Sequence, residues 1–136
     1  MKNIVILVAS AFFFTSCIDK GDIAVTNKVG NAMLENISFD DKGLHPGVLL
    51  PGETSGKTRF DSNMKGISFP FSGQVSFYMR AKGNAVYLKT EEIFTLKKDG
   101  YLKVEITADT KVINPLTTDT RGSGGGITLR ELLDEE

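Results

Sequence analysis

Four sets of residues in this chain have side chains able to do chemistry, and spacing decides what each can do. Pro51-Gly52-Glu53-Thr54-Ser55-Gly56-Lys57-Thr58 follows the apolar run Val48-Leu49-Leu50 and comes within one residue of the phosphate-cradling pattern G-x-x-x-x-G-K-[ST]. Pro51 stands where that pattern has its first glycine; it fixes φ and offers no backbone donor. Gly66 and Pro70 interrupt the segment beyond Thr58, which follows no helical period, so no helix N-terminus is expected to face a phosphate. The sequence predicts a Pro-Gly turn between strands and no nucleotide.

His45, the single histidine, precedes Pro46, with Asp40 and Asp41 shortly before it. Zinc asks for more nitrogen or sulfur ligands than one imidazole, and the spacing matches no calcium loop. No serine in a recognisable nucleophile turn accompanies the histidine. Glu91 and Glu92 are adjacent, so in an extended segment they point to opposite faces. Glycoside hydrolysis instead sets two carboxyls roughly 5 to 9.5 Å apart across a cleft. These residues are expected to form solvated loops, turns and strand starts, with no catalytic residue, no metal and no cofactor.

The third set is aromatic. Alternation within their segments sends Tyr78, Tyr87 and Tyr101 to an outer face while Phe77, Phe94 and their aliphatic neighbours point inward. Such a platform can stack on a glycan or anchor a protein partner. The competing reading is that these rings cover the polar faces of strand pairs or lie under a terminal helix. The absence of Trp weighs against sugar stacking.

The fourth is Cys17, the single cysteine. Lys2 is followed by the apolar run from Ile4 to Ala9, then Ser10, Ala11 and Phe12 to Phe14, and the small residues Thr15 and Ser16. This is the layout of a secretory signal. The apolar part is far shorter than the roughly 20 residues a membrane-spanning helix needs. Phe14-Thr15-Ser16-Cys17 resembles the lipobox of bacterial lipoproteins, with Phe14 where that family usually has Leu or another aliphatic residue. The resemblance implies cleavage before Cys17 and a diacylglyceryl thioether on its sulfur, so that membrane lipid is the first partner. Ile18-Asp19-Lys20-Gly21-Asp22 is similar to the acidic tethers of small Bacteroidota envelope lipoproteins. That likeness implies a cell-envelope, outer-membrane address, with its periplasmic and surface faces both open.

Two acyl chains would hold the mature protein firmly, since each buried methylene contributes about 0.8 kcal/mol and one chain alone binds only marginally. With Cys17 consumed by lipid, no disulfide or cysteine-based metal site is expected. An exported location also argues against nucleotide at Pro51 to Thr58, and a bacterial lipobox leads us to discount the glycosylation sequon Asn36-Ile37-Ser38.

Cleavage removes 16 of the 136 residues and leaves 120, enough for one domain with a modest core. The full chain has 16 basic and 17 acidic residues; loss of Lys2 takes the net charge from −1 to −2, which gives no reason to propose nucleic acid or an anionic membrane surface.

From Ile23 onward the apolar residues recur at period two in short runs rich in Val, Ile, Phe, Tyr and Thr, broken by Gly, Asn, Asp and Pro. Strands are predicted over Ile23 to Val29, Met33 to Phe39, Lys57 to Asp61, Gly66 to Phe69, Gln74 to Arg80, Ala85 to Lys89, Glu92 to Lys97, Tyr101 to Thr107 and Lys111 to Asn114. The hairpin around Ala81-Lys82-Gly83-Asn84, with a two- or four-residue loop, pairs Phe77 with Leu88, Met79 with Val86 and Tyr78 with Tyr87. A three-residue loop at Lys98-Asp99-Gly100, with Gly100 left-handed, would align Leu96 with Leu102 and Phe94 with Val104, and turn Tyr101 outward beside Lys97.

The predicted fold is all-β, a small antiparallel β-sandwich of immunoglobulin-like or transthyretin-like kind, with a short C-terminal helix after a Gly-rich linker. The expected segments are a signal peptide at 1–16, a lipidated tether at 17–22, the sandwich at 23–114, a flexible linker at 115–126 and the terminal helix at 127–136. The helix would be capped by Thr128 with Glu131, and Leu129, Leu132 and Leu133 must dock on something to hold it. The functional expectation is a non-catalytic envelope lipoprotein that binds or associates with an envelope protein. The alternative is a carbohydrate- or small-ligand-binding module using the tyrosines.

Overall fold

The computed structural model describes residues 18–115 and 126–134. In chain order the strands are β1 (Lys20–Asn27), β2 (Met33–Phe39), β3 (Lys42–Gly43), β4 (Val48–Leu49), β5 (Thr58–Asp61), β6 (Phe71–Gly73), β7 (Val75–Ala81), β8 (Asn84–Thr90), β9 (Phe94–Leu96), β10 (Tyr101–Ile106), β11 (Lys111–Ile113) and β12 (Ile127–Thr128), followed by helix α1 (Leu129–Asp134). They form a small all-β sandwich. One sheet has the order β10-β1-β5; a seven-stranded sheet runs β12-β11-β8-β7-β2-β3, with β4 also on β2; a third pairs β6 with β9. All the pairs are antiparallel except β1 with β10.

Alternation explains which side of β7 and β10 is buried, whereas in β2 a bulge at Asn36, with φ 51°, shifts the register between Glu35 and Ser38. In β7, Phe77 and Met79 lie inside while Tyr78 and Arg80 are exposed; in β10, Val104 and Ile106 lie inside while Tyr101, Lys103 and Glu105 are exposed. β1 differs, since Ile23, Ala24 and Val25 are all buried, the signature of a central strand covered on both faces. Phe39 of β2, Phe60 of β5 and Phe71 of β6 bring one ring from each sheet into a single cluster. Their centroids lie 5.3 Å apart for Phe39 and Phe71, 5.8 Å for Phe60 and Phe71, and 6.2 Å for Phe39 and Phe60.

Buried polar groups tie separate segments of the chain together. Asn27 is fully buried: its Nδ2 donates to the carbonyls of Ala32 and Leu49, at 2.9 and 3.1 Å, and its Oδ1 accepts from the Val29 N–H at 3.0 Å. Ser55 Oγ accepts from the Val25 N–H at 2.9 Å, and Thr90 Oγ1 accepts from the Val75 N–H at 3.0 Å. Among the described residues, no buried side-chain nitrogen or oxygen lacks a partner.

The β7–β8 hairpin has the predicted register, with Phe77 opposite Leu88, Tyr78 opposite Tyr87 and Met79 opposite Val86. Ala81 pairs with Asn84, so the loop is the two-residue one, and Lys82 and Gly83 both take positive φ, as a turn matching strand twist requires.

The next predicted hairpin does not form. β9 pairs with β6, and β10 lies parallel to β1, so Leu96 and Leu102 belong to different sheets. Asp99, not Gly100, is left-handed, with φ 58°. Gly100 is needed for a different reason, because a Cβ there would stand 2.9 Å from the Lys97 carbonyl oxygen. Register with β1 runs along all six residues of β10, far more than three-residue β9 could supply. Tyr101 accordingly sits by Lys57 and Lys103, in place of the expected Lys97.

Other boundaries shift. Gly66 to Phe69 is not a strand: Gly66 turns the chain at φ 82°, and the extended residues begin after Pro70, in β6. The tether expected at 17–22 is shorter, since Lys20 to Asp22 belong to β1. β3, β4 and β12 are two-residue strands too short for a periodic signal. The linker expected at 115–126 lies, apart from its two ends, outside the described residues. Beyond it the sheet resumes, because Ile127 and Thr128 pair with Val112 and Lys111. Thr128 Oγ1 caps α1 by accepting from the Glu131 N–H at 3.2 Å, Leu129 is fully buried, and Leu132 and Leu133 pack against the core. That docking supports a helix too short to persist alone.

Candidate functional site

The structure brings two of the three predicted tyrosines together. On the outer face of the seven-stranded sheet, Glu35 of β2, Tyr78 of β7 and Tyr87 of β8 form one cross-strand row. The tyrosine rings are 5.1 Å apart and inclined at 44°, with Tyr78 37% exposed and Tyr87 half-buried. Arg80, two residues along β7, donates through Nε to Glu35 Oε1. The hydrogen bond and charge of Glu35 raise the Arg80 pKa. The row thus offers two aromatic rings beside a fixed ion pair. The latter is a feature that residue-by-residue reading missed, since the pairing of Glu35 with Arg80 appears only once β2 and β7 are in register.

Tyr101 lies apart, on the outer face of the three-stranded sheet. It is 43% exposed, with Lys57 Nζ 4.6 Å and Lys103 Nζ 5.1 Å from its ring centroid. Its neighbours make it a cation–π centre and not a third tile of the tyrosine row. On the same sheet Arg59 Nε donates to Asp22 Oδ1 at 3.1 Å, and this contact raises the Arg59 pKa.

The segment that nearly spells a phosphate loop is a turn. The Leu50 N–H donates to Glu53 Oε1 at 2.7 Å, the Glu53 N–H to the Leu50 carbonyl at 3.0 Å, and Gly52 has φ 88°. Thr54 bridges to Thr26, and the chain past Lys57 enters β5, a strand. Asp40 and Asp41, both at positive φ, are the two-residue turn between β2 and β3. His45 is an exposed loop residue whose N–H donates to Thr58 Oγ1 at 3.4 Å. Among the described residues, no three His, Cys, Asp or Glu side chains are grouped to hold a metal. Glu91 Oε2 accepts from the Gly126 N–H at 2.9 Å, a link between β8 and the entry to β12, while Glu92 is exposed. Cys17 lies outside the described residues, and no described helix is long and apolar enough to cross a membrane.

No protein-family model, curated protein or solved structure matches the chain.

Proposed function

We propose that the mature protein is a lipid-anchored cell-envelope lipoprotein, held through Cys17, whose β-sandwich works by binding or structural association and not by catalysis. The observation that carries this reading is the position of the lipobox-like stretch relative to the fold. Phe14-Thr15-Ser16-Cys17 ends three residues before β1, and the buried core begins at Ile23, so cleavage before Cys17 takes nothing from the described core. The outer membrane is the address we assign, with an envelope protein as partner.

Intact mass of the protein recovered from the membrane fraction tests the anchor. A diacylglyceryl increment is expected on the wild type and its loss on Cys17→Ser; an adduct that persists in the variant would place acylation elsewhere and sink the reading.

A second reading, a module for glycans or small ligands, is favoured by one observation: the half-exposed Tyr78–Tyr87 pair beside the Glu35–Arg80 ion pair. Tyr101 is not part of that surface. Replacing both Tyr78 and Tyr87 with Ala should abolish binding on a glycan array while the domain stays folded, and unchanged binding would remove this reading.

A further inference from the structure

We propose that the rim of the sandwich around Asp19 is a lipid-facing surface, held against the headgroups by a link with one residue of slack. The inference rests on the acylation of Cys17 proposed above.

Asp19 is fixed to the fold three times. Its N–H donates to Ser62 Oγ at 3.1 Å, its carbonyl accepts from the Ser62 N–H at 2.8 Å, and its carboxylate pairs with Lys98 Nζ at 3.3 Å. Lys20 then opens β1, with its carbonyl accepting from the Asp99 N–H at 2.6 Å. Between this anchored residue and Cys17 stands Ile18 alone. Two residue steps of fully extended chain span at most about 7 Å. A sulfur carrying two acyl chains must lie at the membrane interface, so the Asp19 backbone lies within one extended dipeptide of the acylated residue, with Ser62 and Lys98 one polar contact further. A long flexible linker would leave the domain free to tumble, and this one does not.

The rim's composition suits that position. Ile18, next to Asp19, is 47% exposed and Met64, two residues past Ser62, is 41% exposed, near a set of charges that includes Asp19, Lys20, Lys98 and Asp99. Apolar side chains can enter the acyl boundary while charges of both signs meet the headgroups. Attachment comes from the lipid and the short link. Lys28 follows the last residue of β1, roughly 25 Å from Lys20 at about 3.3 Å per strand residue, and marks the far end.

The test places a nitroxide at Met64→Cys or Lys28→Cys in the full chain, acylated in its native membrane and reconstituted into vesicles of phosphatidylethanolamine and phosphatidylglycerol. Intact mass is read first. Absence of the diacylglyceryl increment on Cys17 overturns the anchor and this proposal together. With the lipid present, the label at position 64 is expected to be severalfold less accessible to an aqueous paramagnetic relaxant than the label at 28. Equal accessibility overturns the lipid-facing rim and leaves the anchor standing. A Gly-Ser insertion of about ten residues between Cys17 and Ile18 is expected to abolish the difference by restoring free rotation. A difference that survives the insertion overturns the short link as its cause.

Discussion

Tyr78 and Tyr87 face each other across strands joined by a two-residue turn, whereas Phe39, Phe60 and Phe71 reach one another from three separate sheets. The first meeting is local: once the turn at Lys82-Gly83 closes, the register of β7 and β8 sets every pair along the hairpin. The second needs the seven-stranded sheet, the three-stranded sheet and the β6–β9 pair to have closed over one core. The Tyr78–Tyr87 pair lies on the outer face, where it contributes little to stability. Non-local closure carries the core, where each buried ring matters more.

The comparison is sharpest under mutation. Phe39→Ala removes a fully buried ring from the three-sheet cluster and should destabilise the domain by about 3 to 5 kcal/mol in urea unfolding. A loss under 1 kcal/mol would show that the cluster is not the junction we describe. Asn27→Ala tests the polar part of the same closure. It strands the Val29 N–H and the Ala32 and Leu49 carbonyls in the interior, with an expected cost of about 1 to 3 kcal/mol. Hydrogen exchange should then rise at Val29, and an unchanged rate there would contradict the assigned bond. The smallest effect belongs to the hairpin surface: a double-mutant cycle on Tyr78→Ala and Tyr87→Ala should give a coupling of about 0.2 to 1 kcal/mol. Coupling as large as the Phe39 effect would erase the distinction between face and junction.

The same division explains what could be read in advance. The bounds of β2 were legible although not the bulge between Glu35 and Ser38, and period-two alternation set the β7–β8 register pair by pair, because Phe77, Met79, Val86 and Leu88 share a face whichever loop joins the strands. The capping pair Thr128 and Glu131 marked the start of α1. The partner of β10 could not be read this way. Val104 and Ile106 must face apolar neighbours, but β9 and β1 offer equally suitable faces, and the choice depends on how much register each provides. For the candidate surface, pairing Tyr78 with Tyr87 was legible and the separation of Tyr101 was not. All three alternate outward, and alternation does not say on which sheet.

Sequence alone determined the all-β class and the inward and outward sides of the β7–β8 hairpin and of β10, because these depend on side-chain period a few residues apart. Only the tertiary structure decided that β1 lies parallel to β10, that Asn27 is a buried tie, that Ile127 and Thr128 rejoin the sheet, and that the fold takes hold at Asp19. Those outcomes turn on which distant segments exclude water together, and that competition is settled among whole sheets.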